Sequence, residues 1–151
     1  MIDIVEHQQQ VEAAVAFLRQ HIVEPPQVLI QLGTGLGELA KAMQGATTLA
    51  YEEIPHFPRS TVSSHAGNLV IGRLAGKRTA ILQGRFHSYE GYTAREVAFP
   101  IRALALLGVQ TAIITNASGG LNPAFHPGTL MVFDDHINLL GDNPLRGPNI
   151  D

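Results

Sequence analysis

The chain has 151 residues, of which 45% are hydrophobic and 15% are charged, and its formal net charge is −3 at pH 7. This composition predicts one domain with a substantial core and excludes a disordered chain. There is no basic block of the kind that binds nucleic acid, no cysteine for a disulfide or thiolate metal site, and no apolar run near the roughly 20 residues that span a bilayer. With no signal peptide visible, we expect a cytoplasmic protein that binds neither nucleic acid nor membrane.

The first third of the chain predicts a helix, a buried strand and a second helix. Apolar residues recur at three- and four-residue steps through 4–22, which indicates an amphipathic helix. Residues 28–32 form a short apolar run that is typical of a buried strand. A glycine-rich turn follows at 33–37, and 38–43 is predicted as a helix that Gly45 terminates.

The turn at 33–37 resembles an anion site, because backbone N–H groups at a helix start lack intrahelical partners and point towards an anion. The Thr34 hydroxyl adds a further donor. The turn is not the dinucleotide fingerprint, since Glu38 stands where the third glycine belongs, and no Gly-Lys-Ser/Thr follows to make a P-loop. A tight turn that simply needs small residues is the alternative, and the turn taken by itself favours it.

The middle of the chain predicts an edge strand at 51–54 and then a polar loop at 59–67 that is long enough to reach a site. His65 lies in this loop, where a single histidine is more often a surface residue than a catalyst. Two β-rich runs, 69–74 and 79–83, are joined by a short turn and predict a hairpin.

The segment 83–92 follows the second hairpin strand and holds an arginine, a histidine, two tyrosines and a carboxylate between glycines. Arg85 and His87 are two residues apart, so their side chains leave an extended backbone on one face, which Tyr89 continues. An arginine fork beside an imidazole and a phenol suits an oxyanion that carries an apolar or hydroxylated group. A solvated loop is the alternative, and this segment alone does not decide between the two.

A second long helix is predicted to begin at Thr93, which forms a capping-box pattern with Glu96. Pro100 inside it predicts either a kink or a new first turn. Gly108 ends the helix, and the apolar run 111–115 predicts another buried strand, which makes a right-handed strand–helix–strand crossover.

Small residues at 116–120 follow that strand, where backbone N–H groups can donate to a ligand, although a turn needing glycine is a fair competitor. The run 130–133 predicts a short strand. The Asp-Asp-His run at 134–136 has no second ligand group at metal-site spacing, so no metal site is predicted. Three glycine-rich strand ends are thus expected to meet in one α/β sheet, and together they favour an anion site.

Six segments at consistent spacing carry a family resemblance. They are the turn 33–37, IPHFPRSTVSSHAG at 54–67, QGRFHSYEGY at 83–92, FPIR at 99–102 with LLG at 106–108, TNASGGLNP at 115–123, and DHIN at 135–138 through NPLRGPN at 143–149. On these motifs the chain resembles the N-terminal part of the trimeric purine nucleoside phosphorylases. The sequence 89–92 fits this branch better than the related methylthioadenosine phosphorylases.

The resemblance implies an α/β, three-layer phosphorylase/hydrolase-like fold with a mixed central sheet flanked by helices. It implies reversible phosphorolysis of purine (deoxy)ribonucleosides to free base and (deoxy)ribose 1-phosphate, which is a pentosyltransferase reaction. The implied partners are a purine nucleoside, inorganic phosphate and two further copies of the chain in a homotrimer, with no cofactor and no metal. Residues 1–151 are expected to be the N-terminal portion of a single, apparently truncated domain with an open sheet edge and exposed apolar surface.

The resemblance also assigns residues. Phosphate would be held by Thr34, His65, Arg85, His87 and the amide of Ala117; the nucleoside would contact Tyr89, Asn116, Ala117, Ser118 and Gly119; and the catalytic group would be His87, Arg85 and Glu90. Thr34 replaces a customary serine, Ser64 a customary glycine and Ser118 a customary alanine. Because Ser118 adds a hydroxyl near the base, the preferred purine stays open, and the sequence does not decide between ribose and deoxyribose.

Two other functions remain open on the sequence. A catalytically inert fragment that only binds phosphate or associates with other subunits is one, because the half of the family's chain that reads the purine is missing. A hydrolase that uses water is the other, and Arg85 argues against it because a water site needs no anion clamp.

Overall fold

A computed structural model describes residues 4–59 and 66–146 of the chain. Within them the chain forms two α-helices, five β-strands and three short 3-10 helices. The elements are α1 (Ile4–His21), β1 (Val28–Gln31), β2 (Gln44–Ala50), β3 (Asn68–Leu74), β4 (Lys77–Gln83), α2 (Ala94–Leu107) and β5 (Thr111–Ile114), with 3-10 helices at Gly37–Ala42, Tyr51–Glu53 and Ser88–Glu90. His65 lies outside the described residues.

The predicted long helices at 4–22 and from Thr93, the buried strand at 28–32 and the β3–β4 hairpin are confirmed. A strand is also present at 111–114, but its predicted burial is wrong, because β5 lies at an edge of the sheet and is exposed. At the start of α2, Thr93 Oγ1 accepts from Glu96 N at 3.3 Å, and Glu96 Oε2 accepts from Thr93 N at 2.8 Å, so the capping box is present. The helix then runs unbroken through Pro100, and a new first turn at that residue is therefore wrong. None of the described helices has the length and apolarity to cross a membrane.

The strands in the described part of the chain form a mixed sheet in the order β2-β3-β4-β1-β5. Strand β1 is parallel to β4 and β5, while β3 is antiparallel to β2 and β4. The crossover through α2 therefore passes from β4 over β1 to β5, with Ile30 opposite Ile81 on one side and Ile113 on the other. Since parallel strands end at one edge, the loops after β1, β4 and β5 emerge together.

Helical layers cover both faces of the sheet. Successive strand residues point to opposite faces, and Leu29 points to the side where Leu18 of α1 and Leu104 of α2 pack, all three fully buried. The next residue, Ile30, points to the other side and packs with Ala40 of the first 3-10 helix. The predicted mixed sheet with flanking helices is thereby confirmed.

The prediction for 38–43 is wrong in its details. The segment is a 3-10 helix at Gly37–Ala42 and not a helix that Gly45 terminates. Strand β2 begins directly after it, at Gln44. Gly45 has a φ of 57° and lies where the pairing of β2 with β3 is irregular, between Gln44 and Thr47. This glycine therefore serves a bulge in an edge strand, where an extra residue needs the left-handed region, and not a helix cap.

The strands predicted at 51–54 and 130–133 are also wrong. Tyr51–Glu53 is a 3-10 turn in which Glu53 Oε2 accepts from Ala50 N at 2.9 Å, and the edge strand is instead β2. The turn forms because the Tyr51 ring is drawn into the core, where it is 2% exposed. Residues 130–133 pair with no strand among the described residues.

The other edge of the sheet is open. Every residue of β5 is exposed, although the strand is apolar. Several large apolar side chains after it are at least 90% exposed, namely Leu121, Leu130, Val132 and Leu139. The expectation of an open edge and exposed apolar surface is therefore confirmed.

Gly72 of β3 is expected to be essential for the β2 edge. A Cβ built on Gly72 would lie 2.7 Å from the backbone oxygen of Gln44, so a side chain would push the two strands apart. We expect Gly72→Ala to lower the free energy of unfolding by about 1–3 kcal/mol in urea denaturation. The control is Gly37→Ala, because a Cβ there would meet nothing within 4 Å. Equal stability of the two variants would contradict this account.

Candidate functional site

The candidate site lies where β4, β1 and β5 end side by side. The hydroxyl of Thr115, the first residue after β5, connects the ends of β1 and β5. Its Oγ1 accepts from Gly33 N at 2.8 Å and donates to Gln31 O at 2.8 Å. The Thr115 carbonyl oxygen in turn accepts from Arg85 Nη1 at 3.0 Å, which connects the end of β4 to the same residue. The three predicted strand ends therefore converge.

Gly33 allows the closest approach within this junction. A Cβ built on it would lie 3.0 Å from both Asn116 Cα and the Thr115 carbonyl oxygen. The turn that begins at Gly33 is closed by Leu36 N donating to Gly33 O at 3.3 Å. Gln83 Nε2 at the end of β4 donates to Gly37 O at 3.3 Å, so β4 supports this turn as well. Gly33 is thus required by packing, whichever ligand the turn binds.

Arg85, His87 and Glu90 form one hydrogen-bonded chain. Arg85 Nε donates to His87 Nε2 at 3.2 Å, and His87 Nδ1 lies 2.8 Å from Glu90 Oε1. A guanidinium group only donates, so Nε2 is the accepting nitrogen and the ring proton belongs on Nδ1, facing the carboxylate. The Glu90 side chain is only 2% exposed, and its Oε1 also accepts from His87 N at 2.9 Å. This carboxylate fixes both the position and the tautomer of the imidazole.

A short turn, rather than the predicted extended backbone, brings His87 and Tyr89 together. His87 caps the 3-10 helix Ser88–Glu90, which Gly91 ends with a φ of 96°. The Tyr89 ring stacks on the His87 ring at a centroid distance of 4.5 Å and an interplanar angle of 16°. Tyr89 is 75% exposed, so its hydroxyl and outer face are available to a ligand.

The remaining predicted residues lie on the loops that leave the junction. Thr34 follows Gly33 and is exposed, and Asn116, Ala117, Ser118 and Gly119 follow Thr115 and are exposed as well. Ser118 and Gly119 line a cavity of about 570 Å³ whose wall includes Phe125 and Met131. The structure thus brings Arg85, His87, Glu90 and Tyr89 into contact, and it places the other loops beside them.

Sequence reasoning missed two residues that hold the site together. Thr115 makes the hydrogen bonds that join the strand ends, and its only signal was a hydroxyl residue at the end of a buried strand. Tyr51 donates its hydroxyl to Gly84 O at 3.0 Å, directly before Arg85. Its ring packs on Phe86 at 5.3 Å. The motif of residues 83–92 gave no sign of this partner, because it lies about thirty residues earlier in the chain.

The arrangement suits a polyvalent oxyanion. A guanidinium held from two sides, an oriented imidazole and two small-residue turns with exposed backbone supply donors from three strand ends. Among the described residues no group of three or more His, Asp or Glu side chains could hold a metal ion, including those at 134–136.

The chain is similar in sequence to curated proteins named purine nucleoside phosphorylase. A sequence model of the Phosphorylase superfamily matches residues 27–151. The chain is 50% identical over 139 residues to purine nucleoside phosphorylase 1 of Bacillus subtilis and 51% identical over 141 residues to purine nucleoside phosphorylase of Mus musculus. These alignments cover 92% and 91% of this chain but 51% and 49% of the relatives. The chain therefore spans about half the length of the curated relatives it matches.

Solved structures agree with the described fold. A purine nucleoside phosphorylase from Schistosoma mansoni in complex with acetate has a TM-score of 0.85 and 40% identity, covering 93% of this chain and 53% of that one. Isoform 2 from the same organism, in complex with cytosine and ribose-1-phosphate, has a TM-score of 0.71 and 39% identity, covering 76% and 40%.

Replacing Thr115 with valine should weaken the junction. The variant keeps the shape of the side chain but leaves Gly33 N without its acceptor, while Gln31 O keeps only its bond from the backbone N–H of residue 115. We therefore expect a loss of about 1–3 kcal/mol in the free energy of unfolding. Thr111→Val is the matched control, because Thr111 is an exposed residue of the same strand. Urea unfolding of both variants measures the difference, and equal stabilities would refute the role of the hydroxyl.

The buried phenol of Tyr51 should make the protein less stable at alkaline pH. Burial raises the pKa of its phenol far above the ordinary value of 10.0, so the folded state keeps the proton that the unfolded state releases. Stability from this residue is complete below pH 10 and should fall above it by up to roughly 1.4 kcal/mol per pH unit. Urea unfolding between pH 9 and 11 should show that the free energy of unfolding declines less steeply with pH in Tyr51→Phe than in the unsubstituted protein. The control Tyr89→Phe, at an exposed residue, should decline as steeply as the unsubstituted protein. Parallel declines in all three proteins would count against this assignment.

Proposed function

Because the chain belongs to the phosphorylase superfamily, we propose that it supplies the phosphate-holding part of a purine nucleoside phosphorylase. The proposed reaction is the reversible cleavage of purine (deoxy)ribonucleosides by inorganic phosphate, giving free base and (deoxy)ribose 1-phosphate. The observation that carries the proposal is the Arg85–His87–Glu90 chain, bonded through Thr115 to the glycine turn at the end of β1. The names of the relatives at about 50% identity support the same activity.

The share of the relatives' length that the chain matches supports a proposal about its domain. We propose that 1–151 is the N-terminal portion of a single nucleoside phosphorylase domain, since the chain matches about half of each relative. Activity on a nucleoside is proposed for the whole protein, to which the remaining half would contribute. A homotrimer in the cytoplasm is proposed on the family resemblance.

Phosphate is proposed to bind beneath the sugar carbon that loses the base. Breaking the glycosidic bond builds positive charge on the sugar, as in glycoside hydrolysis, and a fixed anion both stabilises that charge and is placed to attack. Arg85 has two of its donors held by Thr115 and His87, so its orientation is set before phosphate arrives. We propose that its remaining N–H groups, with the Thr34 hydroxyl, the Ala117 amide and His65, clasp the phosphate oxygens.

His87 is proposed to share a proton with the phosphate. Its Nε2 accepts from Arg85 Nε in the described structure. A proton taken at Nε2 from monobasic phosphate would break that hydrogen bond, so that Nε2 and the released Arg85 Nε would both donate to the resulting dianion. Glu90 would balance the charge of that imidazolium through Nδ1. In this scheme Arg85 and His87 contact the substrate, and Glu90 is a positioning residue.

The nucleoside is proposed to lie over the phosphate, against Tyr89 and the loop after β5. Tyr89 presents an exposed ring beside His87, which suits a sugar face. Asn116 and Ala117 would border the sugar, while Ser118 and Gly119 line a cavity of about 570 Å³, within the usual range for a small ligand. No cofactor is needed in this reaction, because phosphate itself is the nucleophile.

A second candidate function is an inert phosphate-binding fragment. The exposed β5 edge and the exposed apolar residues after it favour this candidate, because they leave the sheet without a neighbour on that side. Incubation with inosine and phosphate separates the candidates, since the first predicts hypoxanthine and ribose 1-phosphate. Phosphate binding without any turnover would support the inert fragment, and hypoxanthine release without phosphate would support a hydrolase.

Arg85→Lys is the sharpest test of the proposed site. Lysine keeps the positive charge but loses the forked donor geometry, so we expect kcat/KM for phosphate to fall roughly 10- to 100-fold while the free energy of unfolding changes little. Arg73→Lys is the matched control, because Arg73 pairs with Glu24 on a half-exposed surface remote from the junction. Phosphate kinetics in Arg85→Lys that equal those of Arg73→Lys would contradict the assignment.

A further inference from the structure

We propose a second ligand site in this protein, a cavity between α1 and α2 that binds a small carboxylate. The cavity has a volume of about 370 Å³ and is lined by Glu6, His7 and Gln10 of α1 and by Arg95 and Phe99 of α2, among others. None of its lining residues belongs to the candidate phosphate site. The proposal therefore stands whether or not the chain takes part in phosphorolysis.

His7 is the first observation that indicates a ligand. The residue is only 7% exposed, and its Nε2 atom is buried with no hydrogen-bond partner in the described part of the chain. Its ring packs edge-on against Phe99 at 5.8 Å and 76°, so the imidazole is fixed within an apolar wall. A buried nitrogen without a partner is destabilising, and such atoms are rare in native proteins unless something binds them.

Arg95 gives a second, independent observation on the same cavity. Its Nη1 atom is also buried without a hydrogen-bond partner among the residues described. Its Nη2 atom donates to the backbone oxygen of Arg146 at 3.0 Å, which fixes the plane of the guanidinium group. One nitrogen thus anchors the fork, and the other is covered and has no acceptor among the described residues. Both residues line one cavity, so a ligand that enters it and displaces the atoms covering the two nitrogens would give each of them a partner.

The donors define the ligand's chemistry. A guanidinium group can only donate, so the ligand must offer an acceptor to Arg95 Nη1. Burial, together with the charges of Arg95 and Arg102, lowers the pKa of His7, and its neutral ring can donate from Nε2. A carboxylate offers two acceptor oxygens, one for each nitrogen, and is the preferred partner of a guanidinium group.

The acidic residues at the cavity favour a monoanion. Glu6 and Glu96 both line it. Glu96 Oε2 accepts from the backbone and hydroxyl of Thr93, and Glu6 Oε1 accepts from Gln10 Nε2 at 3.3 Å, so both carboxylates are held in place. Their charges oppose a phosphate dianion more strongly than a singly charged carboxylate. The Phe99 ring offers an apolar contact for the rest of the ligand, so a small carboxylic acid with an apolar body fits best.

Benzoate is the probe, and NMR of the His7 ring in the whole protein that carries this chain is the measurement. Benzoate should shift the His7 signals saturably with a Kd in the millimolar range, as expected for so small a ligand. Benzamide, which has the same shape without the charge, should bind at least roughly tenfold more weakly. Arg95→Met should weaken benzoate binding by a similar factor, and Arg73→Met, which lies outside the cavity, should leave it unchanged.

Several results would overturn the proposal. Chemical shifts that rise linearly with benzoate concentration, without saturation, would mean that benzoate has no site here. Equal affinity for benzamide would mean that the carboxylate charge does not contribute to binding. Tighter binding of inorganic phosphate than of benzoate would overturn the carboxylate assignment. If Arg95→Met fails to fold, Arg95→Lys keeps the charge but loses the fork, and undiminished benzoate binding in that variant would also refute the site. All of these readouts are independent of nucleoside turnover.

Discussion

The Thr115 hydroxyl is the interaction on which the candidate site depends. It connects the backbone of β1 to the loop after β5, while the carbonyl oxygen of the same residue receives Arg85 from the end of β4. Three loops that are separate in sequence are thereby held at one edge of the sheet. The close approach works only because Gly33 lacks a side chain, since a Cβ there would lie 3.0 Å from the backbone of the β5 loop. A hydroxyl and an absent side chain together set the geometry that any bound anion would meet.

The second constraint is the set of hydrogen bonds that holds Arg85 and His87 in place from the side away from the proposed phosphate. Glu90 orients His87, and Thr115 orients Arg85, so the two side chains that we propose to act on phosphate are each held by a neighbour that does not touch it. The buried Tyr51 hydroxyl supports the same segment at Gly84. Such support reduces the reorganisation needed when an anion binds, which is the main way that positioning contributes to catalysis.

The candidate site is organised although the β5 edge of the sheet is open. The donors proposed for phosphate come from the ends of β1, β4 and β5 and from the segment 83–92, all within the described chain apart from His65. The exposed apolar residues after β5, by contrast, have no covering layer among the described residues. The phosphate donors thus lie at the ends of strands that are paired in the sheet. The loop after the edge strand β5, where we propose the purine to lie, has the least support from the rest of the described structure.

The sequence by itself determined the elements whose signals are local: the amphipathic α1, the capping box of α2, the β3–β4 hairpin and the cluster around Arg85 and His87. It also carried the family resemblance, because six motifs kept their order and spacing. It misjudged 38–54, where a bulge at Gly45 and the burial of Tyr51 outweighed local propensity. Only the tertiary structure decided that Thr115 joins the strand ends, that Tyr51 reaches Gly84, and that His7 and Arg95 line one cavity. The residues concerned are 30 to 88 positions apart, and proximity over such a separation leaves no periodicity or spacing in the sequence to reveal it.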